Sequence, residues 1–100
     1  MTARASYKLS SKIVTFPGMG AWRFLHLNKK VSEEIRKKYA VKAVGFGSIR
    51  VIVKVGKTEW TTSIFPDKKS GVYLLPTKAS VRKAEGITDD EPVDFSIKIA

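Results

Sequence analysis

The chain has 100 residues, a length that fits one domain with a modest core and excludes two independent ones. It contains no cysteine, which excludes disulfides, thiolate nucleophiles and zinc–thiolate sites. Nineteen Lys and Arg residues against nine Asp and Glu residues give a net charge of +10, which favours association with polyanions, chiefly nucleic acid or an anionic membrane surface.

The first segment, residues 5–16, alternates apolar and polar side chains, as a half-buried strand does. The alternation shifts phase near Ser10 and Ser11, which predicts a bulge. Turn-forming residues at 17–20 lead to a second strand over residues 21–27, which is rich in aromatic and branched side chains. We predict that the two strands form a hairpin.

Residues 29–38 are predicted to form the first helix. Asn28 is a suitable N-cap, because its side-chain oxygen can accept a hydrogen bond from an unpaired backbone N–H group of the first turn. Acidic residues come early and basic residues late, which suits the helix dipole, and Glu34 and Lys38 have the spacing of an ion pair. We therefore interpret the lysines of this segment as a solvated helix face.

The middle of the chain is predicted to form a second hairpin. The valines of residues 51–55 fall on one side of a strand, and Gly56 and Lys57 have the pattern of a two-residue turn. Residues 58–65 then return as the partner strand. A polar loop over residues 66–71 leads to the next strand.

Pro76 ends that strand in the prediction, because proline has no N–H group to donate to a neighbouring strand. Thr77 is interpreted as the cap of a short helix over residues 77–85, and Gly86 as the glycine that stops it. Residues 91–99 alternate again and are predicted to form the last strand.

A loose internal repeat connects these elements. Residues 22–38 and 71–83 each run from a strand through Asn or Pro into a short helix, and a further strand follows each. Two copies of a strand–helix–strand unit predict a pseudo-symmetric β-barrel, because neither copy could bury its apolar face alone.

Four segments of the sequence also resemble a known family: residues 20–27, 45–51, 62–87 and 93–99. Over nearly its whole length the chain is similar to the bacterial and archaeal domain of unknown function DUF1905. The resemblance implies a mainly β fold, a double-split β-barrel of about six to seven strands capped by helices at about 29–38 and 77–85.

That architecture is shared with the AbrB and MazE transition-state regulators and antitoxins, which bind DNA as intertwined dimers. This chain contains both halves of a barrel, so we expect a monomer, with a dimer as the alternative. We further expect a single domain over residues 1–100. Residues 1–12 lack the apolar core of a signal peptide, and no segment approaches a membrane span. The sequence thus predicts a cytoplasmic, soluble protein without a membrane partner.

The candidate contacts for nucleic acid or another anion are basic residues of the polar loop and the second helix: Lys68, Lys69, Arg82 and Lys83. Trp22 and Trp60 could act as stacking platforms for bases, but both lie in apolar strands, so we predict that they are core or partial core. The run Trp22, Arg23 and Phe24 does interleave aromatic and basic residues, as nucleic-acid surfaces do.

No catalytic, cofactor-binding or metal site is predicted. Residues 55–58 resemble the end of a phosphate-binding P-loop, but Val51 stands where the motif requires its first glycine. His26 is the only histidine and has no cysteine or second imidazole to complete a metal site, so a structural or exposed role is favoured. Two functions stay open. One is a small non-enzymatic binding module that contacts nucleic acid through a basic surface. The other is an accessory barrel domain for a protein partner or a small ligand.

Overall fold

The computed structural model describes residues 6–15, 18, 22–39 and 47–100. Of the turn predicted over residues 17–20, only Gly18 lies within this part, and its φ is 82°. The described part is mainly β, as predicted. Its elements are β1 (Ser6–Ser11), β2 (Ile13–Val14), β3 (Phe24–His26), α1 (Lys29–Tyr39), β4 (Ile49–Val55), β5 (Thr58–Pro66), β6 (Tyr73–Pro76), α2 (Ala79–Glu85) and β7 (Val93–Ile99).

The strands pair antiparallel in the order β1-β7-β4-β5-β6-β3-β2. The two ends of this order, β1 and β2, are consecutive in the chain and are separated only by Lys12. The sheet therefore curls until its ends meet in one continuous segment, which gives the predicted barrel-like fold.

The pairing also confirms the pseudo-symmetric repeat. The strands before the two helices, β3 and β6, pair with each other, and so do the strands after the helices, β4 and β7. The repeat extends further than the sequence suggests. The β1–β2 segment pairs with β7 and β3, and β5 pairs in the same way with β4 and β6.

The first strand changes partner where the sequence predicts a bulge. Tyr7, Leu9 and Ile13 are buried, and Ser11 lies at the same parity, so no extra residue interrupts the alternation and the bulge prediction is wrong. The Oγ of Ser11 accepts a hydrogen bond from the N–H group of His26 at 3.2 Å. Because Ser11 is a polar residue at an inward position, the sequence pattern looked like a shift in the alternation of apolar and polar residues. The predicted hairpin is confirmed, since β2 pairs with β3.

The core lies between the inward faces of the strands. It contains the three valines of β4, as predicted, and Ile35 of α1. Trp60 and Ile87 are partly buried and pack against it, and Val81 of α2 is also buried.

The two helices lie at opposite ends of β5. At the start of β5, the Oγ1 of Thr58 donates a hydrogen bond to Oε2 of Glu85 in α2 at 2.6 Å. Beyond the end of β5, Nη2 of Arg36 in α1 donates to the carbonyl of Gly71 at 3.1 Å. The helices therefore cap the sheet at two ends, as the sequence predicts. Within the described residues, no helix is long and apolar enough to span a membrane.

Most of the predicted helix ends are confirmed. Asn28 caps α1, because its Oδ1 accepts a hydrogen bond from the N–H group of Val31 at 2.8 Å. Glu34 and Lys38 form their ion pair at 3.0 Å. Gly86 ends α2 in the left-handed conformation, with a φ of 62°.

The predicted cap of α2 is wrong. Thr77 is only 2% exposed, and its Oγ1 donates to the carbonyl of Leu75 at 3.3 Å. The N–H group of Thr77 donates to the carbonyl of Arg23 at 2.9 Å, so Thr77 still continues the pairing of β6 with the chain before β3. The helix consequently begins later, with Lys78 at its N-cap position.

Candidate functional site

A groove of about 460 Å³ runs along β5, between the start of α2 and the residues that precede β3. This volume lies in the usual range for ligand sites. Threonine, proline and alanine residues form part of the wall. The described lining contains no acidic residue, and its aromatic and basic members are Trp22, Trp60, Arg23, Lys78 and Arg82.

Trp22 is far more exposed than the sequence predicts, at 57%. Its ring stacks on that of the buried Phe24, with centroids 5.9 Å apart and planes at 12°. The core prediction for Trp22 is wrong because β3 begins only at Phe24, so Trp22 lies outside the paired strand. Trp60, on β5, is partly buried against the core, as predicted.

Arg23 holds the segment that carries Trp22. Its Nη1 donates to the carbonyl of Trp22 at 3.2 Å, and its Nε donates to Oδ1 of Asp89 at 3.2 Å. Its own carbonyl accepts the hydrogen bond from Thr77. The segment is thereby tied both to the chain before α2 and to the chain before β7, so two walls of the groove are held together.

The opposite wall contributes two further cations. Arg82 is half-buried, and its Nε donates to the carbonyl of Thr77 at 3.1 Å. This bond occupies one of the five N–H donors of the guanidinium, and the terminal amines can bind an anion in a fork geometry. Lys78 is exposed at the start of α2. The groove therefore places cationic donors opposite an exposed aromatic ring, an arrangement suited to a flat ligand that carries negative charge.

The four basic residues predicted to contact an anion lie in two places. Arg82 lines the groove, whereas Lys83 is exposed on α2 and is not part of the described lining. Lys68 and Lys69 are exposed in the loop between β5 and β6, beyond the end of β5 that is distant from α2. Only one of the four thus belongs to the groove, and a contact of any of the four with an anion stays a prediction.

The loop that contains the two lysines is ordered by its own hydrogen bonds. Oδ2 of Asp67 accepts from the hydroxyl of Ser70 at 2.7 Å and from its N–H group at 3.3 Å. The hydrogen bond from the hydroxyl lowers the pKa of Asp67 below its ordinary value. The carboxylate therefore stays charged beside Lys68 and Lys69, and it offsets part of their positive charge.

The described residues contain no group of three or more His, Cys, Asp or Glu side chains arranged to hold a metal ion. His26 is half-buried in β3, and its Nε2 is buried without a hydrogen-bond partner among the described residues. It does not line the groove.

Sequence reasoning missed Arg23 and Lys78 as members of the site. The interleaving of Trp22, Arg23 and Phe24 was the signal that could have found the first. Nothing local marks Lys78, because it joins the others only through the packing of α2 against β5.

The family model of the domain of unknown function DUF1905 matches residues 10–97. The chain belongs to this family. The matched part of the DUF1905 chain includes the groove, from Trp22 to Arg82. No curated protein matches the chain.

Proposed function

We propose that this DUF1905 chain is a small non-enzymatic binding module whose groove contacts nucleic acid. The observation that carries the proposal is the lining of the groove, which Arg23, Lys78 and Arg82 share with the exposed Trp22. Cations of this kind neutralise phosphates, and aromatic rings stack on bases. No carboxylate or imidazole belongs to the described lining, which favours binding over acid–base chemistry at this site.

The charge of the whole chain supports the same proposal. A net charge of +10 attracts polyanions over a distance, and the groove gives that attraction a location. The architectural resemblance to the DNA-binding AbrB and MazE proteins adds support by analogy of fold, which is weaker than support from the site itself.

Fluorescence anisotropy with labelled DNA and RNA, repeated over a salt series, tests the proposal. The groove variant Lys78→Gln/Arg82→Gln is compared with the loop variant Lys68→Gln/Lys69→Gln, because both remove two positive charges. We expect the groove variant to lose at least about tenfold in affinity near physiological salt and about two units of the logarithmic salt slope. The loop variant should lose less. Circular dichroism checks that both variants are folded.

Equal losses of affinity in the two variants, or binding that occurs only at low salt, would mean that nucleic acid is attracted by the net charge of the protein and not by the groove. Either result contradicts a located interface. A larger loss in the loop variant would instead assign the contact to the loop.

A second candidate is an accessory domain that binds a small anionic ligand. The volume of the groove, about 460 Å³, favours this reading because it suits one small molecule. Oligonucleotides of increasing length separate the two candidates. Affinity that rises with length supports a polymer, whereas affinity that is already complete for a mononucleotide supports the small ligand.

A further inference from the structure

We infer that the groove takes an unpaired base, so that the ligand is single-stranded nucleic acid. One base stacks on Trp22, and the adjacent phosphates lie against Lys78 and Arg82. This inference rests on the proposed function and adds to it a preference for single strands over duplexes.

The exposure of Trp22 supports this inference. Large aromatic side chains are usually well buried, and in the described residues Trp22 and Phe65 are the large apolar side chains that remain exposed. One face of the Trp22 ring lies on Phe24. The surface that remains in solvent is therefore on the outer side of the ring, where a base can stack.

The Trp22 ring is also held in place before any ligand binds. Arg23 donates to the carbonyl of Trp22 and is itself bonded to Asp89 and Thr77. Phe24, which supports the ring, is itself buried, at 6% exposure. A ring that is fixed before binding loses little conformational freedom when a base stacks on it, so more of the stacking energy contributes to affinity.

The shape of the site decides between a single strand and a duplex. Proteins read a duplex by placing a protruding element in one of its grooves, where only base edges are accessible. In a duplex, the faces of the bases are covered by their neighbours. Here the aromatic ring lines a recess, and a recess can receive a base only when that base is unpaired and turned outward.

Another recess on the surface lacks this combination. Lys8, Lys54 and Asp94 line it, so two cations are accompanied by a carboxylate. Its aromatic member, Phe95, is buried at 4% exposure and presents no open ring. The groove differs from this recess in two ways: its described lining has no acidic residue, and it presents an exposed aromatic ring.

Three labelled probes of equal length test the inference near physiological salt: single-stranded oligo(dT), a dA·dT duplex, and an abasic single strand with the same phosphates. We expect oligo(dT) to bind at least about tenfold more tightly than the abasic strand, since stacking contributes about 1–3 kcal/mol per base. It should also bind more tightly than the duplex and quench the fluorescence of Trp22.

The variant Trp22→Ala should lose about tenfold or more in affinity for oligo(dT) and bind it no better than the abasic strand. Trp22→Phe should retain much of the affinity, because it keeps an aromatic face. Phe65→Ala is the matched control. Phe65 is also an exposed aromatic residue, at 41%, but it does not line the groove, so its replacement should leave affinity unchanged.

The outcomes separate this inference from the proposed function. Suppose that Lys78→Gln/Arg82→Gln weakens binding of oligo(dT) and of the abasic strand, while Trp22→Ala leaves the affinity for oligo(dT) as unchanged as Phe65→Ala does. The groove then remains the interface, and base stacking on Trp22 is overturned. Equal affinity for oligo(dT) and the abasic strand, or tighter binding of the duplex, also overturns it. If no probe binds near physiological salt, the proposed function fails as well.

Discussion

The hydroxyl of Ser32 joins α1 to β6, because its Oγ accepts a hydrogen bond from the N–H group of Tyr73 at 3.0 Å. Ser32 is completely buried, and the same Oγ lies 3.4 Å from the carbonyl of Leu27, to which it donates. A helix side chain therefore supplies the acceptor for a backbone donor at the beginning of a strand. This contact fixes α1 against the sheet at the end opposite α2.

Replacement of Ser32 by alanine should destabilise the protein. The buried N–H group of Tyr73 would lose its acceptor, which costs about 1–3 kcal/mol in the free energy of unfolding. Ser80→Ala is the control, because Ser80 is exposed on α2 and its replacement should change that energy by less than about 0.5 kcal/mol. Urea denaturation measures the free energy of unfolding of both variants. Equal midpoints for Ser32→Ala and Ser80→Ala would mean that the hydroxyl of Ser32 does not stabilise the protein.

Gly56→Ala should also destabilise the protein, for two reasons. The φ of Gly56 is +56°, which costs a residue with a side chain about 1–2 kcal/mol. A Cβ at this position would also meet the carboxylate of Glu85 and displace it from Thr58. The free energy of unfolding of Gly56→Ala, measured by urea denaturation, should therefore fall by more than the left-handed conformation alone explains.

Gly71→Ala separates the two causes. Gly71 has a φ of +75°, but a Cβ there meets nothing within 4 Å, so only the conformational cost applies. We expect Gly56→Ala to be the more destabilised of the two. In addition, Thr58→Val should cost less in the Gly56→Ala background than in the natural chain, since the bond it removes is already broken. If the losses of stability caused by Gly56→Ala and Thr58→Val are strictly additive, Glu85 keeps its hydrogen bond to Thr58 in the Gly56→Ala variant.

Asp89→Asn should strengthen binding of oligo(dT). The change removes a negative charge that lies 3.2 Å from the Nε of Arg23, a residue of the groove, and the amide oxygen of asparagine can still accept the hydrogen bond that holds the Trp22 segment. The pair is partly exposed, so the gain should be modest, about two- to fivefold, and the loss of stability below about 1 kcal/mol. Asp94→Asn makes the same change of charge at an exposed position of β7 outside the groove. Anisotropy titrations that show equal gains for both variants would mean that only net charge matters.

The pKa of Asp67 should rise toward its ordinary value in Ser70→Ala, because the hydroxyl that stabilises the carboxylate is removed. In the natural chain the folded state lowers this pKa. The group therefore adds stability above the unfolded pKa, and that stability is lost as the pH falls through the folded pKa. In Ser70→Ala, less of the free energy of unfolding should be lost as the pH falls from about 4 to the pKa of Asp67 in the folded protein. Titration of the Asp67 carboxyl carbon by NMR measures the change, and an identical pKa in the two proteins would refute it.

Features that depend on near neighbours in the chain were predictable from the sequence. Asn28, Gly56 and Gly86 act where the pattern places them, because capping and tight turns involve residues only a few positions apart. The alternation of the β4 valines identified a core face for the same reason. The internal repeat then indicated a barrel, since each half needs the other to cover its apolar side.

The groove was decided by the tertiary structure. Arg23 is bonded to Asp89, which lies 66 positions away in the chain. Arg82 lines the same groove as Trp22 and Trp60 only because α2 packs against β5. The sequence could not show that Trp22 lies just outside β3, nor that Thr77 continues β6 instead of capping α2. Local patterns predict which side chains face a core. Which surface side chains come together depends on how distant segments pair, and here that pairing sets cations beside an exposed tryptophan.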